Sequence, residues 1–238
     1  MTNPNELWID TRLSQKEMDF LWGCISTEEN KEHHKSKLIE DKDNWFFETI
    51  LKNLTERLFY RDLDVYHKYY IEKEEPPPKF EMNRVWVNYQ KKHEFNPLHD
   101  HSGLYSFVIF MKIPTHWKEQ HALNLDNFRA RVASDFMFVW TEKNIDYIRQ
   151  ENFSLSLEDE GRMLFFPATL RHLVYPFYEC EEERVTISGN IDLEKPKIIE
   201  LSGDVYEEKE KMLEMLENSV KVTKEELEQI KKEREKEG

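Results

Sequence analysis

The segment Asn96-Pro-Leu-His99-Asp100-His101-Ser-Gly103 places two imidazoles either side of a single residue. In an extended strand, residues two apart project to the same side, so His99 and His101 can aim at one point while Asp100 faces elsewhere. Neutral imidazole offers a lone pair near neutral pH, which makes histidine the commonest metal-binding side chain. Alone, such a pair is also what two buried, hydrogen-bonded histidines look like. A second stretch, Gly161-Arg-Met-Leu-Phe-Phe-Pro167-Ala-Thr-Leu-Arg-His172, runs from a short apolar strand through a proline turn to another histidine. If the intervening strands wrap His172 back onto the first pair, three protein ligands share one face of an ion. The positions left open suit non-haem iron, which must also bind substrate and oxygen.

A third piece is Glu183-Arg184-Val-Thr-Ile-Ser-Gly-Asn190. Arg184 heads an alternating strand, and its planar guanidinium can grip a carboxylate through two parallel hydrogen bonds, which lysine cannot imitate. Thr186 shares that strand face and could add a hydroxyl donor. A surface ion pair with the acidic run 181–183 is the competing role for Arg184; the company of three histidines favours the carboxylate grip. His93, His116 and His121 could line such a site or sit in solvent. The tract Glu32-His33-His34-Lys35 reads as a charged connection.

These groups need a scaffold, and the chain supplies one in three textures. Residues 1–79 read as a helical support region. Ser14 and Glu17 have capping-box spacing, with Leu13 and Met18 at the positions of a hydrophobic staple. The helix they open sets Leu21, Trp22 and Ile25 on one face. A second helix carries Trp45, Phe46, Ile50, Leu51, Leu54 and Leu58 at threes and fours. Pro76-Pro77-Pro78 ends the helical part. In the core, 80–200, short β-branched or aromatic runs at 85–90, 104–113, 133–140, 153–157, 162–166 and 184–191 predict a β-sandwich or barrel. Residues 115–131, with Trp117, His121 and Phe128, read as an irregular loop at a pocket mouth, a candidate for substrate contact. The tail, 201–238, is Glu/Lys-rich with sparse apolar residues and a capping box at Thr223/Glu226. It predicts one or two charged helices that could also serve an oligomer contact.

Bulk numbers narrow the function classes. With 238 residues and 39% apolar content, one generous domain can bury a real core. Net charge is −14, from 34 basic and 48 acidic residues, which disfavours nucleic acid and anionic membrane surfaces as partners. Cys24 and Cys180 are too few for a disulfide framework and read as reduced. No secretory signal or run of ~18 apolar residues is visible. The expectation is a soluble, cytoplasmic protein.

The ordered set of a His-x-His pair, a later histidine after a Gly…Phe-Pro strand, and an arginine shortly beyond resembles the Fe(II)/2-oxoglutarate-dependent oxygenases. The nearest likeness is to their prolyl-4-hydroxylase-like branch, including bacterial and phage members of unassigned substrate. The likeness covers about 80–192. It implies a mainly β fold with flanking α elements: a double-stranded β-helix (jelly-roll) core, N-terminal support helices and a C-terminal helical tail. It implies iron held by His99, His101 and His172, and 2-oxoglutarate bound by Arg184, Thr186 and Tyr89, with ascorbate as an accessory reductant. The reaction implied is hydroxylation of a prolyl or other amino acid side chain, peptidyl or free, with release of succinate and CO2. The family's usual motif has a carboxylate where this chain has His101. A three-histidine site, two histidines plus water, and a rotated Asp100 therefore all stand as readings. A rival resemblance is to the cupins, whose second motif matches Gly161, Pro167 and His172 but not Thr169 or Pro176. Their glutamate after the first histidines is missing, and Arg184 has no part in their pattern. A non-catalytic jelly-roll binding protein is the third reading.

Overall fold

Alternation of inward and outward side chains, the periodicity of a strand, governs the chain from residue 80 onward. A computed structural model describes residues 7–26, 36–61, 78–123, 131–141 and 147–194, all within the unit Met1–Glu194. Among them are strands β1 (Ile9–Arg12), β2 (Ser36–Leu38), β3 (Phe80–Gln90), β4 (Asn96–His99), β5 (Tyr105–Lys112), β6 (Phe136–Thr141), β7 (Ile148–Phe153), β8 (Arg162–Pro167), β9 (Arg171–Val174) and β10 (Arg184–Leu193). The helices are α1 (Gln15–Ser26), α2 (Lys52–Phe59) and α3 (Trp117–Ala122).

The strands form two antiparallel sheets, β1-β8-β5-β10-β3-β2 and β4-β9-β6-β7. From β3 to β10 the chain changes sheet at each connection except the β6–β7 pair, the winding of a jelly roll. Two apolar layers follow from strand parity. Phe107, Ile109 and Met111 of β5 pack toward the helices with Val87 and Ile187. Val108 and Phe110 face the other way, into a layer with Phe136, Phe138, Phe153 and Phe166. Because both faces of β5 are covered, its sequence is an unbroken apolar run. Gly189 of β10 lies against the Phe107 ring: a Cβ there would come within 2.5 Å of it and 2.8 Å of the Arg84 carbonyl.

The capping box at Ser14 forms: the Ser14 amide donates to the Glu17 carboxylate, and the Glu17 amide to Ser14 Oγ at 3.4 Å. The helix it opens buries Met18, Leu21 and Cys24, whereas Trp22, expected on the apolar face, is exposed. The second helical pattern is not one regular helix. A π-turn over Phe47–Leu51 precedes α2, and Asp41 caps its start by accepting from the amides of Phe46 and Phe47 at 2.9 and 2.8 Å. The wider π-turn lets Phe46 and Leu51, five apart, both bury.

Three other differences concern short elements. β1 and β2, from the N-terminal region expected to be helical, pair with β8 and β3 at the two edges of the larger sheet. The expected strand at 153–157 is shifted: β7 ends at Phe153, and Ser156 caps a 3-10 turn, Leu157–Asp159, by sharing hydrogen bonds with Asp159. Residues 117–122, read as loop, are helical because His116 Nδ1 accepts from the Lys118 amide and caps the turn. The His33-His34 tract, most of the proline run, residues 124–130 and the expected C-terminal helices with their oligomer contact lie outside the described residues. Among the described residues no helix is long and apolar enough to cross a membrane.

Candidate active site

Strands β4 and β9 are neighbours, with His99 opposite His172 in their register. His101 follows β4, its amide donating to the Ala168 carbonyl at 2.9 Å, which fixes the loop over the proline turn. Ring centroids lie 4.2 Å apart for His99–His172, 5.0 Å for His101–His172 and 5.1 Å for His99–His101. One nitrogen from each ring lies within 4.8 Å of the other two, a spacing that an ion can bridge. The sequence-predicted triad is thus one cluster. Asp100 is not part of it: its carboxylate faces outward toward Arg171 at 3.6 Å, both exposed.

The rings are oriented by their second nitrogens. His172 Nδ1 donates to the Leu170 carbonyl at 3.1 Å and His99 Nδ1 to the Pro97 carbonyl at 2.6 Å. Those bonds leave each Nε2 as the lone-pair donor. His172 is buried against Phe136, stacked at 5.5 Å, and the edges of Phe138 and Phe166. Burial, reinforced by the neighbouring His99 and His101, pushes the His172 pKa down to about 3. Burial and then His99 also lower that of His101. Both rings are therefore neutral near pH 7, the form that binds metal.

A prediction follows for the metal-free protein. Unfolded His172 takes a proton near pH 6.5, but folded His172 does so only near 3. Between those values the unfolded chain binds more protons, so this stability is complete above pH 6.5 and drains away as pH falls toward 3. Urea unfolding at pH 7, 6 and 5 should show a loss approaching roughly 1.4 kcal/mol per unit below pH 6. A profile flat across this range would contradict the burial-driven shift.

Arg184 lies at the far end of the same cavity. It is 1% exposed, at the head of β10 and opposite Gln90 of β3. Its Nη2 donates to the carbonyl and hydroxyl of Ser134, and its Nη1 to Gln90 Oε1 at 3.3 Å. Gln90 is held the right way round because its amide donates to the carbonyls of Glu94 and Tyr175. The Phe177 ring lies 5.4 Å from the guanidinium carbon. All these acceptors are neutral. Arg184 Nε is buried without a partner, and no described carboxylate lies within ion-pair reach. Burial lowers the arginine's pKa to about 10, against the field of Asp135, so it stays a cation. A buried cation with an unused donor is poised for an anion.

The cavity joining the two ends is about 400 Å³ and is lined by the three histidines, Arg184, Thr186, Ser188, Asn88, Gln90 and Trp86. Thr186 shares the arginine's face as its parity predicts, next to the Asn88 amide at 3.4 Å. Tyr89 borders the cavity as well; it sits opposite Val185 and also packs against the helix-side core. Gln90, one residue on, makes the side-chain contact to Arg184. His93 packs on Tyr178, His116 caps α3 and His121 pairs with Asp135; none lines the cavity.

A jelly roll whose cavity carries an imidazole cluster and an anion-receptive arginine could hold a metal ion and an acidic small molecule together. Residues 84–190, which contain every one of those groups, match the model of a family described as "Putative 2OG-Fe(II) oxygenase". Over that stretch the β core is similar to this family of Fe(II)- and 2-oxoglutarate-dependent oxygenases. No curated protein matches the sequence. Solved structures similar to it include an oxidoreductase of the 2OG-Fe(II) oxygenase family from Burkholderia pseudomallei (13% identity, 78% of this chain and 84% of that one, TM-score 0.43). Another is the 2OG complex of the viral collagen prolyl hydroxylase from Paramecium Bursaria Chlorella virus-1 (13%, 78% and 95%, 0.43). A third is a prolyl-4-hydroxylase from Pseudomonas putida (10%, 78% and 91%, 0.43).

Proposed function

We propose that His99, His101 and His172 hold the iron, and that Arg184 with Gln90 and Thr186 receives the distal carboxylate of 2-oxoglutarate. The prime substrate is an amino acid side chain, free or peptidyl, which is hydroxylated. The observation that carries the residue assignment is the fully buried guanidinium, with an unpartnered Nε and no counter-anion among the described residues, in one cavity with three convergent imidazoles. When bound, Fe(II) and 2-oxoglutarate supply an oxidation that couples decarboxylation of the cosubstrate to oxygen insertion into a C–H bond. The chain's residues do the rest. The carbonyls of Pro97 and Leu170 hold two imidazoles with Nε2 inward. Phe136 and Phe166 wall His172 from water, and Ser134 and Gln90 aim the guanidinium. Three neutral imidazoles leave the ion's charge uncompensated, which suits a dianionic cosubstrate.

The cupin reading gives Arg184 no task, and its placement in the cavity weighs against that reading. Anaerobic addition of 2-oxoglutarate to the Fe(II)-loaded protein tests the choice. Chelation should give a visible charge-transfer absorption, and a screen of peptides and amino acids should find one that raises succinate release. Bound metal without that absorption would overturn the proposal in favour of a cupin-type enzyme. A protein that takes up no metal would overturn it in favour of a binding protein.

A further inference from the structure

Two consecutive residues of α3 reach opposite walls around Arg184. His121 Nε2 bonds Asp135 Oδ1 at 2.9 Å. Gln120 makes two bonds to the Tyr178 backbone, donating to its carbonyl and accepting from its amide, each at 2.9 Å. Asp135 directly follows Ser134, whose carbonyl and hydroxyl hold Nη2 of the arginine. Tyr178 directly follows Phe177, whose ring lies against the guanidinium. Gln120, Ser134, Asp135 and Phe177 are all buried.

Ser134 needs such support. Its φ of 73° is in the left-handed region, which costs a residue with a Cβ about 1 kcal/mol and persists only where neighbours over-determine it. The Ser134 amide donates to the Pro176 carbonyl at 2.8 Å, the Asp135 carbonyl accepts from the Tyr175 amide at 2.9 Å, and the Asp135 carboxylate takes His121 and Asn152. That carboxylate is turned toward the helix and away from ion-pair contact with Arg184. It supports the arginine's charge through space while leaving the donor edge free for a ligand.

We propose that α3 is a brace for the anion end of the cavity: His121 and Gln120 are positioning residues that hold the two walls of Arg184. They thereby set affinity for the distal carboxylate of the cosubstrate from outside the cavity. The inference rests on the cosubstrate reading of Arg184, and it moves the function of this segment from substrate contact to cosubstrate retention.

Calorimetry on Mn(II)-loaded protein, which binds without turnover, tests it with two ligands. 2-Oxoglutarate carries the distal carboxylate, and 2-oxovalerate has the same carbon chain without it. His121→Phe should weaken 2-oxoglutarate about tenfold, the value of roughly one hydrogen bond to a charged group. Affinity for 2-oxovalerate and for Mn(II) should stay within about twofold. His121→Gln, which can still donate an N–H to Asp135, should restore most of the loss. Ser134→Gly, which removes the hydroxyl and relieves the left-handed cost, should show the same selective loss even if His121→Phe does not fold. Equal weakening of both ligands, failure of His121→Gln to rescue, or a loss that persists in an Arg184→Gln background would overturn the brace. Wild-type protein with no preference for 2-oxoglutarate over 2-oxovalerate would sink the reading of Arg184 and the brace with it. A wild-type preference that both variants leave intact would sink the brace alone.

Discussion

His172→Ala is expected to abolish iron binding at micromolar metal and, with it, all 2-oxoglutarate-dependent turnover. Of the three imidazoles, this one is held most firmly. It is 5% exposed, its Nδ1 is tied to the Leu170 carbonyl, and its ring is stacked on Phe136 within the smaller sheet. Disturbing a partner that merely orients a metal ligand typically costs 10–100-fold in affinity, so removing the ligand itself should cost more than about 100-fold. The substitution also removes a buried polar ring whose neutral state is already enforced by its surroundings, so the fold should survive. Metal titration of the variant, with circular dichroism to confirm folding, checks this. A folded variant that takes up iron like the wild type would remove His172 from the site.

Arg184→Lys should raise the 2-oxoglutarate requirement by about 100-fold or more while iron affinity changes little. The guanidinium is planar and reaches Ser134 and Gln90 from two of its nitrogens while keeping Nε free. A lysine ammonium is a single point on a flexible stem and cannot meet both partners and an incoming carboxylate at once. The Ser134 and Gln90 acceptors would be left buried and poorly satisfied. Each hydrogen bond lost to a charged group costs about 1.5–3 kcal/mol, so losing both arms of the fork converts to about two orders of magnitude or more in binding. The measurement is KM for 2-oxoglutarate in a succinate assay beside a metal titration. An unchanged KM would mean that this residue does not meet the cosubstrate. Equal damage to metal affinity would mean that its role is structural.

The convergence of the three histidines was legible because residue type and parity sufficed. A His-x-His pair in an extended segment must converge, and a buried strand leading through a proline turn delivers His172 beside it. Arg184 and Thr186 were legible for the same reason. Tyr89 was assigned by likeness to a family position, and it borders the cavity. Gln90, the arginine's partner, was missed, although its parity with Trp86 and Asn88 along β3 was a signal present in the sequence. Ser134 was not readable in the same way: nothing in its type announces a left-handed backbone, which depends on Pro176 and on Asp135, clamped by α3. β1, β2, β4 and β9 are three or four residues long, too short for a period to declare itself. The π-turn before α2 was hidden because five-residue spacing of buried positions mimics an ordinary amphipathic run until Asp41 caps it.

Strand β4 is joined to β9 at only two positions, Asn96↔Val174 and His99↔His172, with an irregularity between them, and it forms the open margin of the smaller sheet. A cation clamped by His99 and His172 would act as a rivet across that interrupted seam. Ordering of the margin and capture of the ion then become one event. The protein's hold on its metal would be weakened by anything that frays β4, even a change that touches no imidazole.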